Sequence, residues 1–150
     1  MATKAAPQEI VSAKVITRWE QVAQKLVALA EAFPESKFDC KPMGDVKSIA
    51  EVLRHVAFWN QYVADTARGN TADDTANELP KAKYSTKVSI VNALKHSFSD
   101  ATGALKEISP GLSPELLETL LTFIEHNCEH YGQLVVYARL NEIVPPASRG

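Results

Sequence analysis

Long apolar runs are missing from this 150-residue sequence, and no stretch approaches the roughly 18 to 20 apolar residues of a membrane span. Cysteine is scarce: Cys40 and Cys128 alone do not form a disulfide framework. Neither charge dominates, since 16 basic residues face 18 acidic ones, and this balance disfavours nucleic-acid binding. Residues 1–8 lack the apolar segment of a secretory signal. We therefore expect a cytoplasmic protein that binds neither membranes nor nucleic acids.

The length and the apolar content suit one compact domain. Hydrophobic residues make up 45% of the chain, and a chain of this length buries roughly 70% of its unfolded surface. The sequence shows no internal repeat and no low-complexity tract. We expect a single domain over residues 1–150, in which residues 1–7 form a loose tail.

Helical periodicity recurs in four segments, and no segment shows the alternation of a strand. Proline, glycine and helix-capping residues mark the ends of these segments. In the second, Ser48 and Glu51 form a capping-box pattern. The four predicted helices cover residues 8–32, 48–69, 86–108 and 113–141.

The link at residues 70–85 bears on the topology. Fully extended, it covers roughly 50 Å, more than the roughly 30 Å of a 20-residue helix. It can therefore return the chain along the molecule and leave helices two and three parallel. We predict an all-α, up-down-down-up four-helix bundle rather than a simple up-and-down bundle. The alternative is that residues 70–85 are a floppy insertion. The first and third links look short enough to join antiparallel neighbours.

The histidines are the most informative residues. His126 and His130 are four residues apart, which stacks their imidazoles on one face of helix four. His55 lies in the apolar part of helix two, roughly 80° from the centre of its apolar stripe. All three are at the edges of apolar stripes, where a cleft between two helices can gather them. His96 falls on the solvent face of helix three, and we assign it no role.

This set of residues suits a particular kind of metal site. Neutral imidazoles favour zinc, nickel, copper or ferrous iron over magnesium or calcium. Three protein ligands leave positions for water or substrate, as in catalytic zinc sites. The pattern is not that of HExxH proteases, because Glu129 directly precedes the second histidine. Spacing alone leaves open a second interpretation, in which two histidines are on the surface and one is in the core.

Two segments carry a family resemblance. Residues 48–57, SIAEVLRHVA, and 125–134, EHNCEHYGQL, resemble the DinB-like superfamily of metal-binding four-helix bundle proteins. Residues 137–146 are similar as well, although Glu142 stands where glycine is frequent.

The resemblance covers essentially the whole chain and has consequences for site and assembly. It implies that His55, His126 and His130 coordinate a divalent metal, commonly nickel or zinc. It also implies the up-down-down-up bundle and a homodimer.

The resemblance implies more than one possible function. Characterised relatives include metal-dependent transferases and isomerases that use low-molecular-weight thiols. A metal in such a site lowers the pKa of a thiol or a water and so generates a nucleophile. We predict a metal-dependent thiol S-transferase or hydrolase that acts on a small molecule. The alternatives are a catalytically silent metal-binding stress-response module that acts as a homodimer, and a helical interaction domain whose histidines are incidental.

A few further residues are candidates for a role at the site. Glu51, one turn before His55, either supports the second ring nitrogen of that histidine or only caps the helix. Glu129 either orients a histidine and acts as a base or is simply solvated. Trp59 and Tyr137 either wall the pocket or belong to the core.

Overall fold

The structure, a computed structural model, describes residues 6–150 and contains four long helices. These are α1 (Pro7–Ala32), α2 (Ile49–Ala67), α3 (Lys87–Ile108) and α4 (Pro114–Leu140). Two short 3-10 helices follow α1 and α4, and no strand occurs within residues 6–150. Most of the predicted loose tail lies outside the described residues, and α1 begins at Pro7.

The predicted capping signals operate at the helix ends. At α2, the Ser48 hydroxyl accepts from the backbone N–H of Glu51, and the Glu51 carboxylate accepts from the backbone N–H of Ser48 at 2.7 Å. At α4, the Ser113 hydroxyl accepts from the backbone N–H of Leu116. These bonds satisfy N–H groups that a helix leaves free in its first turn.

Contacts between the ends of helices give their directions. Lys87, at the start of α3, donates to the backbone carbonyls of Glu31 and Phe33 at the end of α1. Lys106, near the end of α3, pairs with Glu20 in the middle of α1. The two helices are therefore antiparallel.

Helices α2 and α3 run parallel. Asn60 in the middle of α2 donates to Ser97 in the middle of α3, and Arg68 just after α2 pairs with Asp100 further along α3. The topology is therefore up-down-down-up, as the length of the link at 70–85 predicts.

Helices α2 and α4 are antiparallel neighbours, and this pair positions the site. The Tyr137 hydroxyl near the end of α4 donates to the backbone carbonyl of Lys47 just before α2. Further along, the rings of Tyr62 and Phe123 lie 5.5 Å apart. Each of α1 and α2 packs against both α3 and α4, so α1 and α2 lie across the bundle diagonal. The expectation that the first and third links join neighbours is wrong, because both links cross the end of the bundle.

The core is built from apolar side chains of all four helices. Trp19, Leu26, Leu53, Leu94 and Leu134 are fully buried, with all four helices contributing. None of the helices within residues 6–150 has a stretch long and apolar enough to cross a membrane.

The long link is held against α2 rather than being a floppy insertion. Leu79 is buried, and its backbone N–H donates to the carbonyl of Arg54. The side chain of Trp59 donates to the side-chain oxygen of Asn77 at 3.1 Å. These contacts place the link beside the histidine of α2.

Candidate metal centre

The structure brings the three predicted histidines together between α2 and α4. The Nε2 atom of His126 lies 2.9 Å from Nε2 of His55 and 3.1 Å from Nε2 of His130. One nitrogen from each ring lies within 4.8 Å of the others. His55 is 9% exposed, and the other two are half-buried. His96 is exposed on α3 and takes no part in the cluster.

The orientation of His55 is set by the long link. Its Nδ1 lies 2.6 Å from the backbone carbonyl oxygen of Asn77. Because a carbonyl only accepts hydrogen bonds, Nδ1 carries the proton and Nε2 presents its lone pair to the cluster. Asn77 has a φ of 61°, in the left-handed region that asparagine tolerates better than most residues.

A chain of side-chain hydrogen bonds sets the orientation of His130. The Tyr137 hydroxyl donates to the backbone carbonyl of Lys47 at 2.8 Å, and it accepts from the amide nitrogen of Gln133 at 2.9 Å. The amide oxygen of Gln133 is thereby turned toward Nδ1 of His130, 2.9 Å away. Nδ1 of His130 therefore donates, and its Nε2 also presents a lone pair to the cluster.

The third imidazole, His126, is positioned by packing. Its Nδ1 is buried and has no hydrogen-bond partner within residues 6–150. The ring of Phe123 meets its edge at a centroid distance of 5.7 Å. Burial, reinforced by the neighbouring His130 and His55, lowers the pKa of His126 to about 4. Burial also lowers the pKa of His55, against the opposing effect of the Asn77 carbonyl.

These features fit a divalent metal. Histidine binds metals in its neutral form, which the lowered pKa values of His55 and His126 favour at pH 7. Metal–nitrogen bonds of about 2.0–2.1 Å place two ligand nitrogens at most about 4 Å apart, and the Nε2 separations of His126 from His55 and from His130 satisfy that limit. Ligand histidines also ordinarily donate their other ring N–H to an oxygen, as His55 and His130 do here.

Of the other candidate residues, some contact the histidine cluster and the others only support the fold. The ring of Trp59 meets that of His55 at 6.3 Å, so Trp59 walls the site as one prediction had it. Tyr137 acts through Gln133 and not as a wall. Glu51 caps α2 and pairs with Lys41, which confirms the capping alternative; the second ring nitrogen of His55 is held by Asn77 instead. Glu129 is exposed.

Sequence reasoning missed two residues that orient the clustered histidines, Asn77 and Gln133. Gln133 is three residues after His130, a helical neighbour spacing that gives a usable signal. Asn77 acts through its backbone carbonyl from a link 22 residues away, and the sequence carries no signal for that contact.

Comparison with known proteins gives a family. Residues 18–134 match the sequence profile of the DinB superfamily. The match covers more than half of the chain, and the chain belongs to this superfamily. No curated protein matches it. Family membership and the three-histidine cluster together allow metal binding.

Proposed function

We propose that this chain binds a divalent metal, nickel or zinc, through His55, His126 and His130, and uses it for thiol S-transfer or hydrolysis of a small molecule in the cytoplasm. The convergence of three Nε2 atoms on one point, with Nδ1 of two rings tied to oxygen acceptors, carries the proposal. Such an arrangement presents lone pairs to a cation and leaves positions for substrate.

The residues around the cluster would have different roles in such a metal centre. A divalent metal, when bound, supplies Lewis-acid chemistry that lowers the pKa of a coordinated thiol or water. Asn77 and Gln133 hold His55 and His130 in the tautomer that presents Nε2. Trp59 and Phe123 stack at 5.5 Å and form an aromatic wall on one side of the site.

A silent metal-binding module is the second candidate, and one observation favours it. The hydrogen-bond partners of Nδ1 in His55 and His130 are a backbone carbonyl and an amide, neither of which serves as a general base. This module would act as a homodimer. A monomeric mass by light scattering would count against the dimer.

Both candidate functions require a bound metal, and the metal content of the purified protein tests this requirement. We expect untagged protein to hold about one equivalent of nickel or zinc per chain by elemental analysis. His130→Ala removes a ligand and should lose this metal, whereas His96→Ala, which changes an exposed histidine outside the cluster, should retain it. Metal-free wild-type protein that also fails to take up added nickel or zinc would refute the proposal.

Turnover separates the two candidates. Loaded protein is assayed with an electrophile and a panel of low-molecular-weight thiols, and with ester and amide substrates. Activity that disappears with a chelator and returns with metal supports the enzyme. A fully loaded protein without turnover in any assay would favour the silent module.

A further inference from the structure

A cavity lies in the groove between α2 and α4, directly beside the three histidines. It has a volume of about 300 Å³, near the lower end of the range for small-ligand sites. Its walls include Trp59 and Phe123, whose rings also meet those of His55 at 6.3 Å and His126 at 5.7 Å. The same two aromatic rings therefore border the cavity and the candidate metal centre.

Aromatic rings make up the apolar part of the cavity. The ring of Tyr62 lies 5.4 Å from that of Trp59 and 5.5 Å from that of Phe123. The indole N–H of Trp59 is already used, because it donates to the side chain of Asn77. Trp59 and Phe123 stack on each other, so the three rings offer a ligand the aromatic surface that this packing leaves uncovered, and the indole N–H of Trp59 is not available as a donor.

Both charged residues that line the cavity are acidic. Asp74 comes from the long link and Glu118 from α4, and the remaining polar lining is the threonine pair Thr119 and Thr122. Both side chains are exposed, and neither carboxylate belongs to an ion pair within residues 6–150. A ligand can therefore meet the full negative charge of both.

The link segment that carries Asp74 is ordered by its own hydrogen bonds. The Asp73 carboxylate accepts from the backbone N–H of Thr75 at 2.8 Å and from its hydroxyl at 2.7 Å. Two residues later, Asn77 is bonded to both Trp59 and His55. Asp74 is thus only three residues from Asn77, which contacts both Trp59 and His55.

We propose that this cavity binds a small organic cation, an amine or quaternary ammonium group, and so selects the substrate of the neighbouring metal centre. Aromatic faces attract such cations, and the two exposed carboxylates supply the opposite charge. The inference rests on the proposed function, since it assigns the substrate class of that site. The cation would lie one to two helical turns, roughly 5 to 10 Å, from the reacting group.

The same lining disfavours an anionic ligand. A carboxylate-rich thiol meets two acidic side chains here and no lysine or arginine among the lining residues. Like charges at such separations repel, and the aromatic faces add to the repulsion because they carry partial negative charge. The cavity therefore prefers a cationic substrate to an anionic one of equal size.

Two-dimensional NMR provides a direct test with a built-in reference. The chain has two tryptophans, so its spectrum has two indole N–H signals. Trp59 borders the cavity, whereas Trp19 is fully buried and donates to Thr102. Choline is titrated against its uncharged isostere 3,3-dimethylbutan-1-ol and against acetate. We expect choline to shift the Trp59 signal and to bind roughly fivefold or more tightly than the isostere.

Variants identify the charges responsible. Asp74→Asn and Glu118→Gln should each weaken choline binding several-fold and leave metal content unchanged. Glu107→Gln makes the same change of charge at an exposed site on α3 and should have no effect. Equal binding of choline and its isostere, tighter binding of acetate, or no response at Trp59 would overturn the proposal.

The titration is run on zinc-loaded and on metal-free protein, because zinc is diamagnetic and does not disturb the Trp59 signal. If the protein takes up no metal but choline still shifts Trp59, the metal proposal fails and the cation site stands. If metal loads and choline does not bind, only the cation proposal fails.

Discussion

The two imidazoles that donate through Nδ1 depend on different kinds of residue. His55 is held by a backbone carbonyl, which no side-chain substitution removes directly. His130 is held by the side chain of Gln133, whose own orientation depends on the Tyr137 hydroxyl. The side-chain relay, the hydrogen bonds that run from Tyr137 through Gln133 to His130, is therefore the support that a substitution can remove without changing any of the three clustered histidines.

Gln133→Ala is expected to weaken metal binding while leaving all three ligands in place. Without the amide, Nδ1 of His130 loses its acceptor and the ring loses its fixed tautomer. Loss of such a partner costs about 10- to 100-fold in metal affinity. The measurement is competition for nickel with a chromogenic chelator. Tyr137→Phe keeps the ring and should show a smaller loss; unchanged affinity in Gln133→Ala would rule out the relay.

At the level of single residues, the sequence predicts the clustered histidines better than the residues that support them. The edge positions of His55, His126 and His130 follow from helical periodicity, which is a local property. The support of His55 comes from Asn77, and no local pattern indicates where a backbone carbonyl of a link will lie. Glu51 had the right spacing for a supporting role, but its carboxylate is used by the N–H of Ser48.

At the level of the helix, Glu51 makes α2 sensitive to acid. The hydrogen bond from the backbone N–H of Ser48, assisted by Lys41, lowers the Glu51 pKa from 4.5 to about 2. A carboxyl whose pKa is lower when folded stabilises the protein fully above the unfolded pKa, and this stability is lost as the pH falls from about 4.5 toward 2.

Glu51→Gln should therefore lower stability at neutral pH and not at low pH. Gln keeps a cap oxygen but loses the charge, and capping interactions of this kind contribute about 1 kcal/mol. Urea unfolding from pH 7 to pH 3 measures the difference between variant and wild type, which should shrink below pH 4.5. A difference that is constant with pH would show that the charge plays no part.

Buried amides connect three helices near the site. The side chain of Asn127 donates to Asn60 at 3.1 Å, and that of Asn60 donates to the Ser97 hydroxyl at 3.2 Å. All three residues are fully buried, so their polar groups depend on one another. This chain joins α4 to α2 and α3 beside His126.

Asn60→Ala should destabilise the fold by about 1–3 kcal/mol, because it leaves the buried amide N–H of Asn127 without its acceptor and removes the donor to Ser97, whose hydroxyl still donates to the carbonyl of Leu94. Chemical denaturation at pH 7 measures the change in the free energy of unfolding. Asn92→Ala on the exposed face of α3 is the matched control and should change it by less than about 0.5 kcal/mol. If Asn60→Ala also lowered the free energy of unfolding by less than about 0.5 kcal/mol, these buried hydrogen bonds would contribute little to stability.

At the level of the whole molecule, helix directions were predictable and helix neighbours were not. The link at 70–85 is long enough to run back along the bundle, so parallel α2 and α3 follow from chain length. The first link spans residues 33–48, which is enough chain to cross the end of the bundle to the diagonal position. Whether α2 lies next to α1 or diagonally across from it depends on how the helices pack. All of their packing faces are apolar, so neither these faces nor the length of the link predicts the position.

Metal binding should stabilise the entire bundle, because the proposed ligands belong to helices far apart in the chain. His55 and His126 are 71 residues apart and belong to α2 and α4. A ligand that binds only the folded state at 100 times its Kd adds about 2.7 kcal/mol, which for this length raises Tm by about 5 to 10 °C. Differential scanning fluorimetry with and without a chelator measures the shift. His130→Ala should abolish it and His96→Ala should preserve it; equal shifts in both variants would place the stabilising metal elsewhere on the protein.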